Sequence, residues 1–449
     1  MILRMEDLLL SPETWGALLL QQLVQFGDNP LVAMWWLFLH GGWAVLIWAL
    51  LWGGRAVWLD TRQSKYIAKR KFVLLAIDVP KNTEQTVKAV ENMFAHLAGS
   101  HSDPSFLEKW IEGKMQDSIS CEIVSIEGHI QYLIHTTRKL RDLVEASVYA
   151  QYPEAEITEV EDYTHHAPHH FPDGIHDCFA FEFTNARSDV YPIKTYVDFE
   201  HQLTGEFKDP LAVFLEMMGR LGPGEQLWYQ IIITAIDQKE YVPKALSEIK
   251  KITGQEEKVH KSFVDKALDA PLNAMNAAAD AVMGGGHAEE HKKNENALNS
   301  RMWNLTPGER KLVEGMERKM SKIIFRTKIR CVYIAKKEVF SKPRVAYSIV
   351  GAIKQFNTND GGAIKPESKH VGVSSTIVLF AEARNNVRKN HLVHAYARRS
   401  NWAGLHNFYL SSEELASLWH LPVSLFVKAP QVKKTESKKT EPPINLPMG

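Results

Sequence analysis

Apolar positions fall into three regimes along this chain. From Leu31 to Gly54 they run unbroken: LVAMWWLFLHGGWAVLIWALLWGG holds no Asp, Glu, Lys or Arg. From residue 72 to 164 they alternate with polar residues or recur at helical spacing. From 178 to 427 the same plan returns more loosely, interrupted by a charged stretch at 238–320. The first regime predicts a single transmembrane helix over 31–54. At about 1.5 Å per residue it is long enough for a hydrocarbon core of roughly 30 Å, where only a helix satisfies its own backbone. Trp35, Trp36, Trp43, Trp48, Trp52 and Trp58 lie in or beside it, and indoles suit the membrane–water interfaces. His40 reads as a neutral, tolerated residue beside Gly41–Gly42. Upstream, residues 1–30 form an N-terminal segment. Within it 11–26 predicts a short amphipathic helix with Ser11 as cap, Pro12 in the first turn, and Trp15, Leu18, Leu19, Leu23 and Phe26 on one face.

The second regime, 72–164, predicts one compact unit. FVLLAIDV (72–79) reads as a buried strand. A helix capped by Asn82 or Thr83 follows, carrying Val87, Val90, Phe94 and Leu97 and ending at Gly99. Residues 119–136 predict a hairpin turning at Glu127–Gly128. A helix at 138–151 and a last strand at 154–163 complete a β-α-β-β-α-β order, the split-βαβ or ferredoxin-like arrangement. One sheet face is then expected under two helices and the other free for RNA, a partner or a second sheet. RNA readers on such a sheet need exposed stacking aromatics, and HIQYLIHTT offers Tyr132 alone, so direct nucleic-acid binding is not expected.

The third regime, 178–427, predicts a second ferredoxin-like unit. Its strands are at 179–183, 225–236, 323–336 and 372–381, and its helices at 209–222 and 341–356. The charged stretch 238–320 reads as a helical insertion, with a capping box at Thr306–Glu309 and a loose Ala/Asn/Gly-rich part at 270–300. Ser411–Glu414 caps a short helix ended by Leu421–Pro422. The expected fold class is therefore α+β: one transmembrane helix, then two ferredoxin-like units, the second with a helical insertion. Residues 428–449, with five Lys, two Glu and four Pro, read as an extended tail.

Charge sets the orientation. The juxtamembrane segment 55–71 carries Arg55, Arg62, Lys65, Lys69, Arg70 and Lys71 against Asp60 alone, whereas the N-terminal side has only Arg4. The positive-inside rule puts the N-terminus outside and the C-terminal domains in the cytoplasm. The length of the apolar run, the missing basic n-region and the absent A-x-A site speak against a cleaved signal peptide. These tryptophans and basic residues are the candidate membrane-anchoring set, with the lipid bilayer as first partner. Over the whole chain 53 basic residues balance 53 acidic ones, unlike the basic excess of a nucleic-acid binder. Cys121, Cys178 and Cys331 are too far apart for a CxxC motif and read as buried thiols.

The one metal-like cluster is HHAPHHFPDGIHD, with His165, His166, His169, His170 and His176 beside Asp173 and Asp177. Its prolines and glycine make 165–177 a solvated linker between domains. HAEEH at 287–291 is not HExxH. No P-loop, G-x-S-x-G, kinase or Rossmann pattern occurs. No residue is assigned to catalysis or metal, no cofactor is expected, and the chain does not read as an enzyme.

Several phrases carry a resemblance: VYPIKTYVDFE (190–200), LGPGEQLWYQIIITA (221–235), LTPGERKLVEGMERKMSK (305–322), IRCVYIAKKEVF (329–340), AIKQFN (352–357) and LSSEELASLWHLP (410–422). Together they resemble bacterial membrane proteins associated with type IV secretion and conjugative DNA transfer. There a membrane segment and two ferredoxin-like units precede a HerA/FtsK-like, TraG-like motor ATPase. A phrase like EPPINLP (441–447) leads into that ATPase in the family, but this sequence stops at Gly449. The resemblance therefore implies a membrane anchor and docking component of such an apparatus, ordered as a homo-oligomeric ring that tethers a separate P-loop motor ATPase. The alternatives are a membrane-tethered scaffold unrelated to secretion and a metal-dependent enzyme using the 165–177 histidines.

Overall fold

A computed structural model describes residues 35, 38–80, 85–199, 209–253, 305–367, 370–373 and 380–422. The amphipathic helix at 11–26, Trp36, the caps Asn82 and Thr83, the 270–300 stretch, His287, His291 and the 428–449 tail lie outside them. The chain divides into two compact units, one of residues 1–70 and 104–115 and the other of 71–103 and 116–449.

The first unit contains helix α1 (Trp43–Ala68), entered through a π-helical turn at Phe38–Gly42. The expected transmembrane helix is corrected here. Among the described residues, no helix is long and apolar enough to cross a membrane. The apolar part of α1 ends where Arg55 follows Gly54. Trp43–Gly54 rises about 18 Å at 1.5 Å per residue, short of a core of roughly 30 Å. Beyond it the helix carries Arg55, Asp60, Arg62 and Lys65.

Among the described residues the second unit is built on one sheet of nine strands: β1 (Phe72–Asp78), β2 (Ile119–Ile126), β3 (His129–Thr137), β4 (Glu156–Glu159), β5 (His176–Asn185), β6 (Glu225–Ala235), β7 (Ile324–Lys336), β8 (Ile364–Glu367) and β9 (Phe408–Ser411). The order is β4-β1-β3-β2-β6-β7-β5-β8, with β9 on the free end of β7. Every pairing is antiparallel. Two separate sheets, as expected from the sequence, would each expose an edge of unpaired N–H and C=O groups. Instead β2 pairs with β6 from Ile119↔Ile233 to Ile126↔Gln226, and the two edges become one interior ladder. The second half also differs locally. Its outer strand β8 lies at Ile364–Glu367 and not at 372–381. Residues 374–379 are outside the described set, and Ala381 already begins a helix.

Nine α-helices are described in all. Those of the second unit are α2 (Val87–Leu97), α3 (Arg141–Tyr149), α4 (Ala212–Gly219), α5 (Gln238–Ile252), α6 (Pro307–Met320), α7 (Lys342–Lys354), α8 (Ala381–Ala397) and α9 (Ser412–Leu418). The β2–β3 hairpin turns at Glu127 (φ 54°) and Gly128 (φ 87°). Consecutive positive φ values are what a two-residue turn needs to match strand twist. Odd-numbered positions of β1 and β2, such as Leu75, Cys121 and Ile123, face a large core with α2, α3, α4, α7 and α9. Trp419, just past α9, sits in that core with its ring edge-on to Phe94 (6.0 Å) and Tyr132 (5.8 Å). The C-terminal helix of the second half is thereby fixed on α2 of the first.

The opposite face is not free, in contrast to the sequence expectation. Leu74, Ala76, Val124, Leu133, Ala180, Trp228 and Val332 are covered by Ala167, Phe171, Leu392, Val393 and Tyr396. Strands apolar on both faces require this, because an open apolar face would stay hydrated.

Candidate functional site

In the first unit the predicted anchoring residues form an exposed apolar and basic surface. Trp35, Trp43, Trp48, Trp52 and Trp58 are all exposed, with Leu46, Ile47, Leu50 and Leu51 among them. The basic side chains fold back on aromatic rings. Arg62 lies 4.3 Å from the Trp58 ring centroid and Arg70 4.4 Å from that of Tyr66. Arg55 sits over Trp110 at 5.5 Å. Each contact sets the guanidinium carbon over a ring face, the cation–π geometry. Lys65, Lys69 and Lys71 are exposed. The sequence reading missed the second element of this surface, residues 104–115. Trp58 Nε1 donates to the Trp110 carbonyl at 3.2 Å, and Arg70 donates to that of Met115 at 2.8 Å. This segment also turns Phe106, Leu107 and Ile111 outward.

In the second unit, segments far apart in sequence meet at the N-terminus of α9. Ser411 and Glu414 form a capping box there. Unlike most such boxes it is buried, so Glu414 needs a countercharge. Lys319 of α6 supplies it at 2.9 Å, and the Ile193 N–H donates to the same carboxylate at 3.0 Å. Glu413 accepts from Thr195 Oγ1 at 2.7 Å and pairs with Arg318 at 2.8 Å and Lys322 at 3.2 Å. Lys322 also reaches Glu91 of α2 at 2.7 Å. Burial pulls the Lys322 ammonium down, but Glu91 and Glu413 outweigh it and hold it above the ordinary lysine range. The cluster borders a cavity of about 450 Å³ lined by Lys194, Asp198, Lys311, Glu314 and Asp360 as well. Residues 190–199, α6 and α9 are thereby locked together, and α6 with its partner α5 is bound to the body through Tyr241, Ala245, Met316 and Ile324.

A second buried polar array crosses the seam of the sheet. Glu122, Gln230, Arg330 and Glu182 are cross-strand neighbours in one row over β2, β6, β7 and β5. Arg330 Nε lies 2.6 Å from Glu182 Oε1, and the Arg330 guanidinium donates to the carbonyls of Ala395 and Ala403. Glu122 accepts from Ser120, Tyr163 and Gln230 and pairs with Arg399 at 3.0 Å. Arg399 also pairs with Asp162. Burial pushes the Glu122 carboxyl up, but the Arg399 guanidinium wins and holds it below the ordinary carboxylate range. Its charged members are paired by protein groups that clamp α8 and the turn after it onto the sheet, while Gln230 Oε1 is buried without a partner. Charged residues interrupting apolar strands were its only signal in the sequence.

The histidine loop is not brought together as a metal set. His176 Nδ1 lies 2.9 Å from Asp173, and Asp177 pairs with Lys389. His169 and His170 pack against the His394 ring at centroid distances of 5.7 and 5.2 Å. Among the described residues no group of three His, Cys, Asp or Glu is placed to hold a metal ion. Tyr132, the one candidate stacking residue, is buried against Trp419.

A family described as a domain of unknown function, DUF8128, matches residues 73–434. The chain belongs to the DUF8128 family. A comparison with the curated proteins finds no match. The DUF8128 match takes in every described strand and both buried charge arrays, and it leaves α1 before its start.

Proposed function

We propose that the chain is an assembly and docking component of a type IV secretion-like or conjugative transfer apparatus, which holds a separate motor ATPase at a bacterial inner membrane. The observation that carries this reading is the meeting point at α9. Three of the phrases with the resemblance, 190–200, 305–322 and 410–422, form one ion-paired cluster there. They bind the arms of the inserted hairpin to a nine-stranded body, which suits an element that a motor pulls against. Attachment in this proposal rests on the exposed tryptophans and basic residues of the first unit, not on a spanning helix. A ring of copies would multiply such attachments, so that weak single contacts sum through avidity.

The test is a pull-down of the tagged full chain from detergent after crosslinking, with partners identified by mass spectrometry. A P-loop ATPase is expected, and it should be lost when residues 428–449 are deleted. Crosslinked material with no ATPase would overturn the reading.

A further inference from the structure

We infer that residues 104–115 form a wedge that inserts into the interface of an anionic lipid bilayer. The segment closes on a π-helical turn at Glu108–Glu112, with Lys109 and Glu112 exposed beside outward apolar side chains. Phe106, Leu107 and Ile111 are 74%, 64% and 58% exposed. Ser105, Glu108 and Lys114 pair within the segment. Lys109 N–H donates to Ser105 O at 2.9 Å and Lys114 N–H to Glu108 O at 3.0 Å. The Glu108 carboxylate accepts from Ser105 N–H at 2.8 Å and from Lys114 Nζ at 2.5 Å. A short helical turn with its backbone bonded internally and Phe106, Leu107 and Ile111 outward fits the boundary between headgroups and acyl chains.

Two further observations point to lipid. Gly113 (φ +74°) is seated on α1 so closely that a Cβ would lie 2.4 Å from the Arg62 carbonyl carbon. With the Trp58–Trp110 hydrogen bond, this fixes the wedge against the helix segment that carries the exposed tryptophans. The charge is also complementary to an anionic surface: Arg55, Arg62, Lys65, Lys69 and Arg70 flank the wedge against Asp60 alone on residues 55–70, and within the wedge Lys109 and Lys114 balance Glu108 and Glu112. Indoles and basic side chains around a small apolar tip make an interfacial composition. The inference deepens the membrane attachment proposed above and rests on it.

The experiment places an environment-sensitive NBD label at Leu107→Cys in the full chain, with Phe106→Cys as a second position. The native thiols Cys121, Cys178 and Cys331 are buried, and burial pushes each of them up, so they do not compete for label. Labelled protein is mixed with vesicles of phosphatidylcholine alone or with added phosphatidylglycerol, and vesicle flotation is recorded in parallel. The expected result is a blue shift and rise of NBD emission, larger with phosphatidylglycerol and reduced by salt. Protein that floats while both labels keep their aqueous spectra would overturn the wedge and leave the attachment standing. Protein that does not float would overturn both. A blue shift without vesicles that grows with protein concentration would assign the surface to a second copy of the chain and overturn the lipid assignment.

Discussion

Replacing Glu182 by Gln tests whether the polar row is a compensated ion pair that holds α8 down. Glu182 and Arg330 are fully buried, 2.6 Å apart. Burial pulls the Arg330 guanidinium below its ordinary range, and Glu182 opposes that pull. The amide keeps the shape and an acceptor for the Leu405 N–H, but removes the countercharge. A buried guanidinium left without its partner costs about 3–5 kcal/mol. Adding Arg330→Met removes the stranded charge. The remaining deficit is the carbonyls of Ala395 and Ala403, each worth roughly 1–3 kcal/mol, or about 2–6 kcal/mol together. The double variant is therefore expected to lie close to Glu182→Gln in stability. The assay is the thermal midpoint of the full chain in detergent by circular dichroism. At roughly 2–4 °C per kcal/mol for a domain of this order, the single variant should fall by about 6 °C or more. A single variant within about 1 kcal/mol of the parent, the range of ordinary surface changes, would refute the reasoning.

Trp419→Ala should cost about 3–5 kcal/mol, read as a loss of midpoint, because it empties the core where α9 meets Phe94 and Tyr132. Thr306→Ala should cost only about 1 kcal/mol, because its capping box on α6 is exposed. Acid should destabilise the fold in two steps, measured as midpoint against pH. His135 is drawn down to about 4 by burial and the Arg399 charge. Its neutral form is favoured in the fold, so that stability is present above its ordinary 6.5 and is lost between there and about 4. His135→Gln should remove this step. Glu122 is held below its ordinary 4.5 by Arg399, so its contribution is present above 4.5 and lost as pH falls through its lower folded value; Glu122→Gln should shrink that second step, which Asp162, Asp209, Glu225 and Glu240, also held below their ordinary ranges, share.

Local patterns were legible because they are short-range. The Glu127–Gly128 turn, the alternation in β2 and β3, and the boxes at Thr306 and Ser411 are each decided within a few residues. What joins distant residues was not. The pairing of β2 with β6 depends on two edges finding each other, and neither strand announces its neighbour. Helix α8 was missed because AEARNNVRKNHLVHAYA buries only Leu392, Val393, Ala395 and Tyr396 near its end, too few for a helical period to show. The 31–54 run was read from hydropathy alone, whereas the described helix begins at Trp43 and continues through the charges to Ala68. Of the candidate sites, the tryptophans and arginines were visible as composition. The 104–115 segment was not, since its meaning lies in which way Phe106 and Leu107 point.

The most direct test of the central claim is vesicle co-flotation of the captured ATPase with and without this chain. The account predicts that the ATPase rises with anionic vesicles only when the chain is present, and that deleting residues 428–449 leaves it at the bottom of the gradient while the chain still floats. An ATPase that floats equally well alone, or one that stays at the bottom beside a floating intact chain, would contradict it.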